Sequence, residues 1–417
     1  MLSGYSGAMS RVAPQPDSAA SWLRLLLALV LSTIGGVGMW SVVVALPAVQ
    51  ADFGSARAGA SLPYTLAMIG FAVGGIGMGR LADRFGIAVP VAGSAVALAL
   101  GYVAAAASPS LTFFALAHGL LIGVASSATF GPMMADVSQW FVRRRGIAVA
   151  VCASGNYVAG TFWPPVLQHF FDTVGWRQTH LGIALFCVAT MLPLAFLLRG
   201  TPPARISPTA GAANDASPAR LGLSSGALMT VLALAGVACC IAMAMPQVHI
   251  VAYCGDLGYG VARGAQMLSL MLGFGIISRL ASGVIADRIG GLPTLLLGSG
   301  LQGFALLLYL GFDGMTSLYV ISALFGLFQG GIVPSYAIIV REYFPANEAA
   351  TRLGVVLMAT LFGMAFGGWL SGAIFDLTGS YKAAFLNGVL WNVLNFGIVA
   401  WLITRSTWRM RLQGSAA

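Results

Sequence analysis

The chain has 417 residues, of which 58% are hydrophobic and only 8% are charged, and its formal net charge is +9. Because a soluble domain carries roughly 25% charged residues, this composition excludes a water-soluble globular protein and indicates one whose solvent is lipid. The sequence has no Walker loop and no His-Glu-x-x-His spacing, so we expect neither an enzyme nor a bound cofactor or metal.

Twelve apolar runs are long enough, or nearly so, to cross a bilayer as helices. The first run is too long for a signal-peptide core, so we expect it to be retained. Only the eighth run contains a formal charge, which is Arg279. The runs cover residues 25–47, 58–79, 87–108, 111–135, 146–168, 181–198, 221–253, 264–286, 292–312, 314–340, 353–375 and 383–404.

The Lys and Arg residues are distributed unequally between the two sides of these spans. Sixteen of the 21 fall on one side, four on the other, and Arg279 lies within a span. The positive-inside rule then predicts that both termini are cytoplasmic. The basic net charge is explained by topology, so no nucleic-acid partner is expected. We expect a multi-pass protein of a bacterial inner membrane that works as a monomer.

The two halves of the sequence repeat. "GRLADRFG" at residues 79–86 recurs as "GVIADRIG" at 283–290, and Gly119-x-x-x-Gly123 recurs as Gly326-x-x-x-Gly330. Because the repeat falls after six helices, both halves have the same orientation, as in a parallel repeat. Small residues at this spacing favour close packing of helices. We predict the following units: a disordered tail (1–21), a six-helix bundle (22–198), a linker (199–220), a second six-helix bundle (221–405) and a tail (406–417).

The repeated loops also supply candidate gating residues. Asp83 and Arg84 in the first loop match Asp287 and Arg288 in the second. An acid at such a junction can cap a neighbouring helix and latch the two halves on the cytoplasmic side. We predict that this latch breaks when that side opens.

Two six-helix halves with "GRLADRFG" between the second and third helices resemble the major facilitator superfamily. This resemblance implies twelve transmembrane helices in two pseudo-symmetric bundles and transport by alternating access. "WFVRRRGIAVAVCASGNYVAGTFWPPVLQHFFDTVGWR" at 140–177 and "SRLASGVIAD" at 278–287 are similar to the monocarboxylate transporter group and its bacterial relatives. The resemblance implies that Arg279 holds a substrate carboxylate.

The chain departs from that group at its coupling residues. Animal members carry an aspartate one helical turn before the arginine, where this chain has Gly275, and a lysine after a first-helix proline, where Ala48 follows Pro47. Oxalate exchangers carry a lysine in the eleventh helix, and the run 353–375 has none. The usual proton-coupling residues of the family are therefore missing.

Arg279 has two interpretations. A structural ion pair needs an acidic partner at the same depth, and no predicted span contains Asp or Glu. An anionic substrate would supply that counter-ion, because a guanidinium matches a carboxylate with two hydrogen bonds. The alternative is a role in gating or an arginine satisfied by carbonyl groups.

His249 is the candidate for proton coupling. It follows Pro246 in the seventh span, and its unperturbed pKa of about 6.5 suits a proton carrier. The alternative is a buried histidine bonded to a backbone carbonyl. We expect further polar side chains within the apolar runs to line a substrate cavity, namely Tyr64, Asn156, Tyr253 and Tyr336.

The sequence thus predicts a secondary transporter that carries a small organic anion, with a proton-coupled monocarboxylate symporter as the first hypothesis. A single intramembrane cation suits one carboxylate. The alternatives are an organic-anion exchanger of the oxalate or formate kind, or a multidrug or sugar carrier of the same fold, which would not need Arg279.

Overall fold

The computed structural model describes residues 15–200 and 221–414, and in these residues the chain forms twelve long helical segments and no strand. The all-α fold predicted from the sequence is confirmed. The predicted linker lies outside the described residues from position 201 onward. The segments are α1 (Ala19–Phe53), α2 (Arg57–Phe85), α3 (Ala88–Ala106), α4 (Leu111–Trp140), α5 (Arg145–Val174), α6 (Trp176–Leu197), α7 (Ser225–Asp256), α8 (Val261–Ile289), α9 (Gly291–Gly311), α10 (Met315–Tyr343), α11 (Ala346–Thr378) and α12 (Tyr381–Gly414).

Eleven of the segments are long and apolar enough to cross a membrane by themselves. The segment that falls short is α5, which is helical over its whole predicted span but carries Asn156, Gln168 and two consecutive prolines. Polar side chains lower the mean hydropathy of a helix that faces a cavity rather than lipid. The twelve predicted spans therefore agree with the helices, although hydropathy alone supports eleven.

The helices extend beyond the predicted runs at both ends of the chain. α1 begins at Ala19, inside the predicted tail, and α12 continues to Gly414, past the predicted end of the second bundle. Just before α1, the Asp17 carboxylate accepts hydrogen bonds from the backbone N–H groups of Val142, Arg143 and Arg144. These bonds, led by that of Arg143, hold the pKa of Asp17 below its usual value. The chain is therefore anchored to the α4–α5 loop before its first helix.

Three of the helices are interrupted near their middles. α1 breaks at Gly36, and α10 breaks at Gly330 and Gly331. α4 contains a π-helical stretch over Ala117–Gly123 and a 3₁₀ turn over Ser127–Thr129. Broken helices leave backbone groups without partners in their own helix, and inside a membrane these are tolerated only next to protein or a polar cavity.

The helices form two pseudo-symmetric bundles, α1–α6 and α7–α12. The bundles meet along two equivalent contacts, in which α2 packs on α11 and α5 packs on α8. In chain order α8 comes six helices after α2, and α11 six helices after α5, so a twofold relation between the bundles exchanges these contacts. The faces between the two contacts enclose the space described below.

Glycines of the repeated small-residue spacing lie at close helix crossings. A side-chain carbon added at Gly326 would overlap the carbonyl oxygen of Met271, and one at Gly330 would overlap that of Gly275. In the first bundle, a carbon at Gly123 would overlap the carbonyl oxygen of Ala67. The predicted packing role of this spacing is confirmed for α4 against α2 and for α10 against α8.

We expect Gly326→Ala to destabilise the protein by about 2 kcal/mol or more, because overpacking against backbone cannot be relieved by a side-chain rotation. The measurement is thermal unfolding of the purified protein in detergent. Gly283→Ala on α8 is the matched control, since an added carbon there meets no atom within 4 Å. Equal melting temperatures for the two variants would contradict the close-packing argument.

Candidate functional site

A cavity of about 1750 Å³ lies between the two bundles and takes lining residues from both. It reaches the end of the molecule that carries the α2–α3 loop, where Asp83 and Gly86 line it, and we call this the basic end. In the other direction it stops at Tyr64, Gln247 and Met364. The end beyond these residues, formed by the start of α2 and the last turns of α7 and α11, is called the opposite end.

Arg279 on α8 lines this cavity and is half-buried. Its Nη1 donates to the carbonyl oxygen of Ala153 on α5 at 2.9 Å, and its Nε makes a long contact of 3.5 Å with that of Gly330. Among residues 15–200 and 221–414, no carboxylate forms an ion pair with it. Carbonyl dipoles solvate the guanidinium but leave its charge of +1 uncompensated.

The ring of Tyr157 lies against Arg279, with the guanidinium carbon 4.3 Å from the ring centroid. The same ring packs on Gly275, where an added side-chain carbon would overlap the ring. Gly275 is the position at which animal monocarboxylate transporters carry an aspartate. In this chain an aromatic face therefore occupies the space where a carboxylate would stand, and the face attracts the guanidinium through a cation–π contact.

The opposite end is sealed by contacts between the two bundles. Arg57, at the start of α2, is 6% exposed, and its Nη2 donates to both carboxylate oxygens of Asp256 at 3.0 and 2.9 Å. The Asp376 carboxylate on α11 accepts from the backbone N–H groups of Arg57 and Ala58 at 2.8 and 2.7 Å. A carboxylate at a helix N-terminus is stabilised by both the free N–H groups and the helix dipole. We call this group the Arg57 latch.

His249 on α7 lies outside the cavity and is completely buried. Its Nε2 is 2.8 Å from the carbonyl oxygen of Gly368, and its Nδ1 is 3.2 Å from the Tyr381 hydroxyl. Because a carbonyl only accepts, the Nε2–H donates to Gly368, and in a neutral ring Nδ1 accepts from Tyr381. This bond to a backbone carbonyl is the one expected under the second interpretation of His249, a buried histidine with a structural role.

The other predicted binding residues divide between the cavity and the protein core. Both Tyr64 and Asn156 line the cavity, Tyr64 at its closed end and Asn156 next to Tyr157 on α5. Tyr253 packs edge-on against Tyr381 behind the sealed end, and Tyr336 is fully buried with its hydroxyl 3.3 Å from Asn395 Oδ1. In the described conformation neither Tyr253 nor Tyr336 lines the cavity.

The predicted gate residues lie at the basic end and are exposed, namely Asp83, Arg84, Asp287 and Arg288. No salt bridge joins any of them to another described residue. Asp83 alone lines the cavity mouth. The predicted latch between the halves is therefore not formed in this conformation, in which the basic end is open.

An ion pair at the cavity wall was not predicted from the sequence. Arg24 on α1 donates from Nε and Nη2 to the two carboxylate oxygens of Asp136 on α4, each at 2.8 Å, and stacks on Trp140. Each charge lies one residue outside an apolar run, before residue 25 and after residue 135, so neither was counted within a span. The pair joins two helices of the same bundle, so that among the described residues of the cavity interior Arg279 is the cation without an acidic partner.

A second missed feature is a buried pair of amides. Gln247 on α7 lines the cavity, and its Nε2 donates to Gln329 Oε1 on α10 at 2.8 Å. Gln329 directly precedes Gly330, whose carbonyl faces Arg279. The only sequence signal was two isolated glutamines in apolar runs.

The fold and sequence resemble those of known transporters. A family model described as Major Facilitator Superfamily matches residues 28–314 and 282–414. Monocarboxylate transporter 13 of Bos taurus is 28% identical over 337 residues, which cover 77% of this chain and 75% of that protein. The uncharacterised MFS-type transporter YhjX of Escherichia coli is 22% identical, covering 83% and 86% of the two chains.

Among solved structures, a bacterial homologue of the human lysosomal transporter Spinster, in an inward-facing and unoccupied conformation, has a similar fold. It superimposes with a TM-score of 0.66 at 14% identity, covering 94% of this chain and 97% of that one. At this identity the similarity concerns the arrangement of helices alone.

Proposed function

Because the chain belongs to the Major Facilitator Superfamily and is a multi-pass membrane transporter, we propose that it carries an organic monocarboxylate across the membrane by alternating access. The observation that carries this proposal is Arg279, a cation in the cavity without an acidic partner among the described residues. A permanent guanidinium in a cavity of low dielectric is stabilised most by an anion that can accept two of its hydrogen bonds. One uncompensated charge matches one carboxylate.

Uptake of labelled acids into proteoliposomes tests this proposal. The panel contains lactate, pyruvate, formate and oxalate, each with and without a pH gradient. We expect uptake of monocarboxylates that exceeds uptake of the dianion oxalate, because a second carboxylate would lie unpaired in the cavity. Preference for neutral sugars or for cationic drugs would instead support a carrier that makes no use of Arg279.

The proposed orientation follows from the charge distribution. If the basic end is cytoplasmic, as the positive-inside rule predicts, the cavity opens toward the cytoplasm and both termini lie there. The described conformation is then inward-open, with the Arg57 latch closed on the outer side. A single chain forms the whole cavity, which supports a functional monomer.

Proton symport is the coupling we propose, with His249 as the proton carrier. Gly368, which accepts from His249, packs against Tyr64 at the end of the cavity. When the outer side opens, α2 moves away from α11, and this movement separates Tyr64 from Gly368 and exposes the histidine to water. A proton taken up there would favour binding of an anion nearby.

We expect His249→Gln to keep exchange of internal for external acid but to lose acceleration by an inward proton gradient. The glutamine amide retains a donor for the Gly368 carbonyl but cannot titrate. Exchange and gradient-driven uptake are compared in the same proteoliposomes, loaded or not loaded with unlabelled acid. Continued accumulation by the variant from an acidified exterior would exclude His249 as the carrier.

Anion exchange is the second candidate, and the absence of an acidic side chain beside Arg279 among the described residues favours it. Among the described residues that line the cavity, the acidic ones are Asp83 and Asp136, and both lie toward the basic end. An exchanger needs no proton site. Equal uptake with and without a pH gradient, together with a strict requirement for internal acid, would favour this candidate.

A further inference from the structure

Beyond Arg279 the cavity continues into a space that is lined by methionine side chains. Met39 on α1, Met68 on α2, Met243 on α7 and Met364 on α11 all line it, so each bundle contributes two. We call this part of the cavity the methionine chamber.

The depth of the methionine chamber follows from positions along the helices. Arg279 lies ten residues from the end of α8 at the basic end, which corresponds to about 15 Å at 1.5 Å per residue. Met68 lies 17 residues from the end of α2 and Met364 lies 18 residues from the start of α11, or about 26 Å from the same end. The chamber therefore extends about 10 Å past the guanidinium toward the sealed end.

The chamber is apolar apart from a few uncharged groups. In the part of the chain that the structure describes, the charged lining residues other than Arg279 are Arg24, Asp83, Asp136 and Arg199, which all lie toward the basic end. Among the described residues inside the chamber, the polar side chains are Gln247, whose Nε2 is bonded to Gln329, Thr360, whose hydroxyl donates to the Leu357 carbonyl, and Tyr64. A ligand group in this space would thus be surrounded mainly by Met, Leu and aromatic carbon and sulfur atoms.

Methionine suits the binding of apolar groups of varied shape. Its unbranched side chain has three rotatable bonds, and its polarisable sulfur makes favourable contacts with aromatic rings. Met39, Met68 and Met243 show only their edges to the chamber and Met364 shows more of its surface. A very small hydrophilic acid held by Arg279 would leave these apolar surfaces in contact with water. An acid with a larger apolar body would cover them, and each apolar group that it buries would add to its affinity.

We propose that the transported anion is amphipathic, with a carboxylate at Arg279 and an aromatic or branched apolar body in the methionine chamber. This inference rests on the proposed anion transport and adds the class of substrate. It assigns recognition to two separate elements. The guanidinium selects the charge, and the methionine chamber selects the apolar body.

The test uses the full-length protein and three probes that separate these elements, namely acetate, phenylacetate and the uncharged phenylacetamide. Binding is measured by calorimetry and by competition with labelled phenylacetate in proteoliposomes. We expect phenylacetate to bind at least tenfold more tightly than acetate, because burial of a ring is worth about one to two powers of ten in affinity. Phenylacetamide should bind at least tenfold more weakly than phenylacetate.

Variants of the chamber provide a second readout. Met364→Gln and Met68→Gln keep the side-chain volume but place an amide in the chamber, and we expect each to reduce the preference for phenylacetate over acetate about tenfold. Met364 is only partly buried, so its variant remains informative if Met68→Gln fails to fold. The matched control is Met315→Gln, at an exposed position remote from the cavity, which should leave the preference unchanged.

Two outcomes overturn the inference in different ways. Equal affinity for acetate and phenylacetate, with both lost in Arg279→Ala, would exclude the apolar body and leave the proposed anion transport intact. Equal affinity for phenylacetate and phenylacetamide, unaffected by Arg279→Ala, would exclude the anion itself and the proposed function with it.

Discussion

Arg279→Lys is expected to reduce transport about 100-fold although the positive charge is kept. A lysine ammonium has no planar fork, so it cannot reproduce two parallel hydrogen bonds to a carboxylate or stack on Tyr157 as a guanidinium does. Loss of a charged, desolvated pair costs about 2–5 kcal/mol, or about 30- to 5,000-fold, a range that includes this factor. Initial rates of uptake are measured at equal reconstituted protein, together with the thermal shift caused by the substrate.

Controls for this prediction separate binding from folding. Arg263→Lys on the same helix, at an exposed position beyond the cavity, should transport like the wild type. The Arg279→Lys protein should keep its melting temperature within a few degrees without substrate but lose the substrate-induced shift. Wild-type kinetics in Arg279→Ala would reject Arg279 as the substrate clamp and favour its carbonyl-bonded, structural role.

The second large effect is expected from the Arg57 latch. Asp376→Asn removes the charge that caps α2 across the bundle interface, and hydrogen bonds to a charged group contribute about 1.5–3 kcal/mol. This energy stabilises the conformation sealed at the opposite end. We therefore expect the open fraction at that end to rise at least tenfold in the variant.

Labelling of an introduced thiol measures the opening. Ser61 is completely buried where α2 meets Gly372 of α11, so Ser61→Cys should react with a membrane-impermeant reagent only when that end opens. The five native cysteines are all buried. Asp313→Asn is the matched control, since Asp313 pairs with Lys382 within one bundle at an exposed site. Labelling rates that are equal in the Asp376→Asn and control backgrounds would contradict the latch.

The sequence predicted the helices well because a bilayer imposes a strong and local signal. A run of about 20 apolar residues is visible without knowledge of its neighbours. Arg279 was recognised for the same reason, since a charge within such a run is costly and stands out. The spacing of Gly326 and Gly330, which predicted close helix packing, is likewise visible within a single run of the sequence.

What the sequence could not predict depends on which helix faces meet. Arg57 lies 199 residues from Asp256 and 319 from Asp376, and no local pattern relates them. Methionines facing the cavity, the lipid and the core look alike in an apolar run. The placement of His249 behind Gly368, outside the cavity, likewise follows only from the packing of α7 against α11.

The Tyr157 ring at Gly275 has a consequence for the response of the carrier to voltage. Because an aromatic face replaces a carboxylate there, the empty site has a charge of +1 and the loaded site is close to neutral. Moving one charge through the field costs about 2.3 kcal/mol per 100 mV. In the proposed orientation, a membrane potential that is negative inside holds the empty carrier inward-open and opposes its return. A carrier loaded with an anion but no proton crosses without this penalty, so in that mode hyperpolarisation slows net uptake while exchange of one anion for another proceeds unchanged. In proton symport, the proton on His249 restores the +1 charge of the loaded carrier, and the loaded and empty carriers then cross with the same charge.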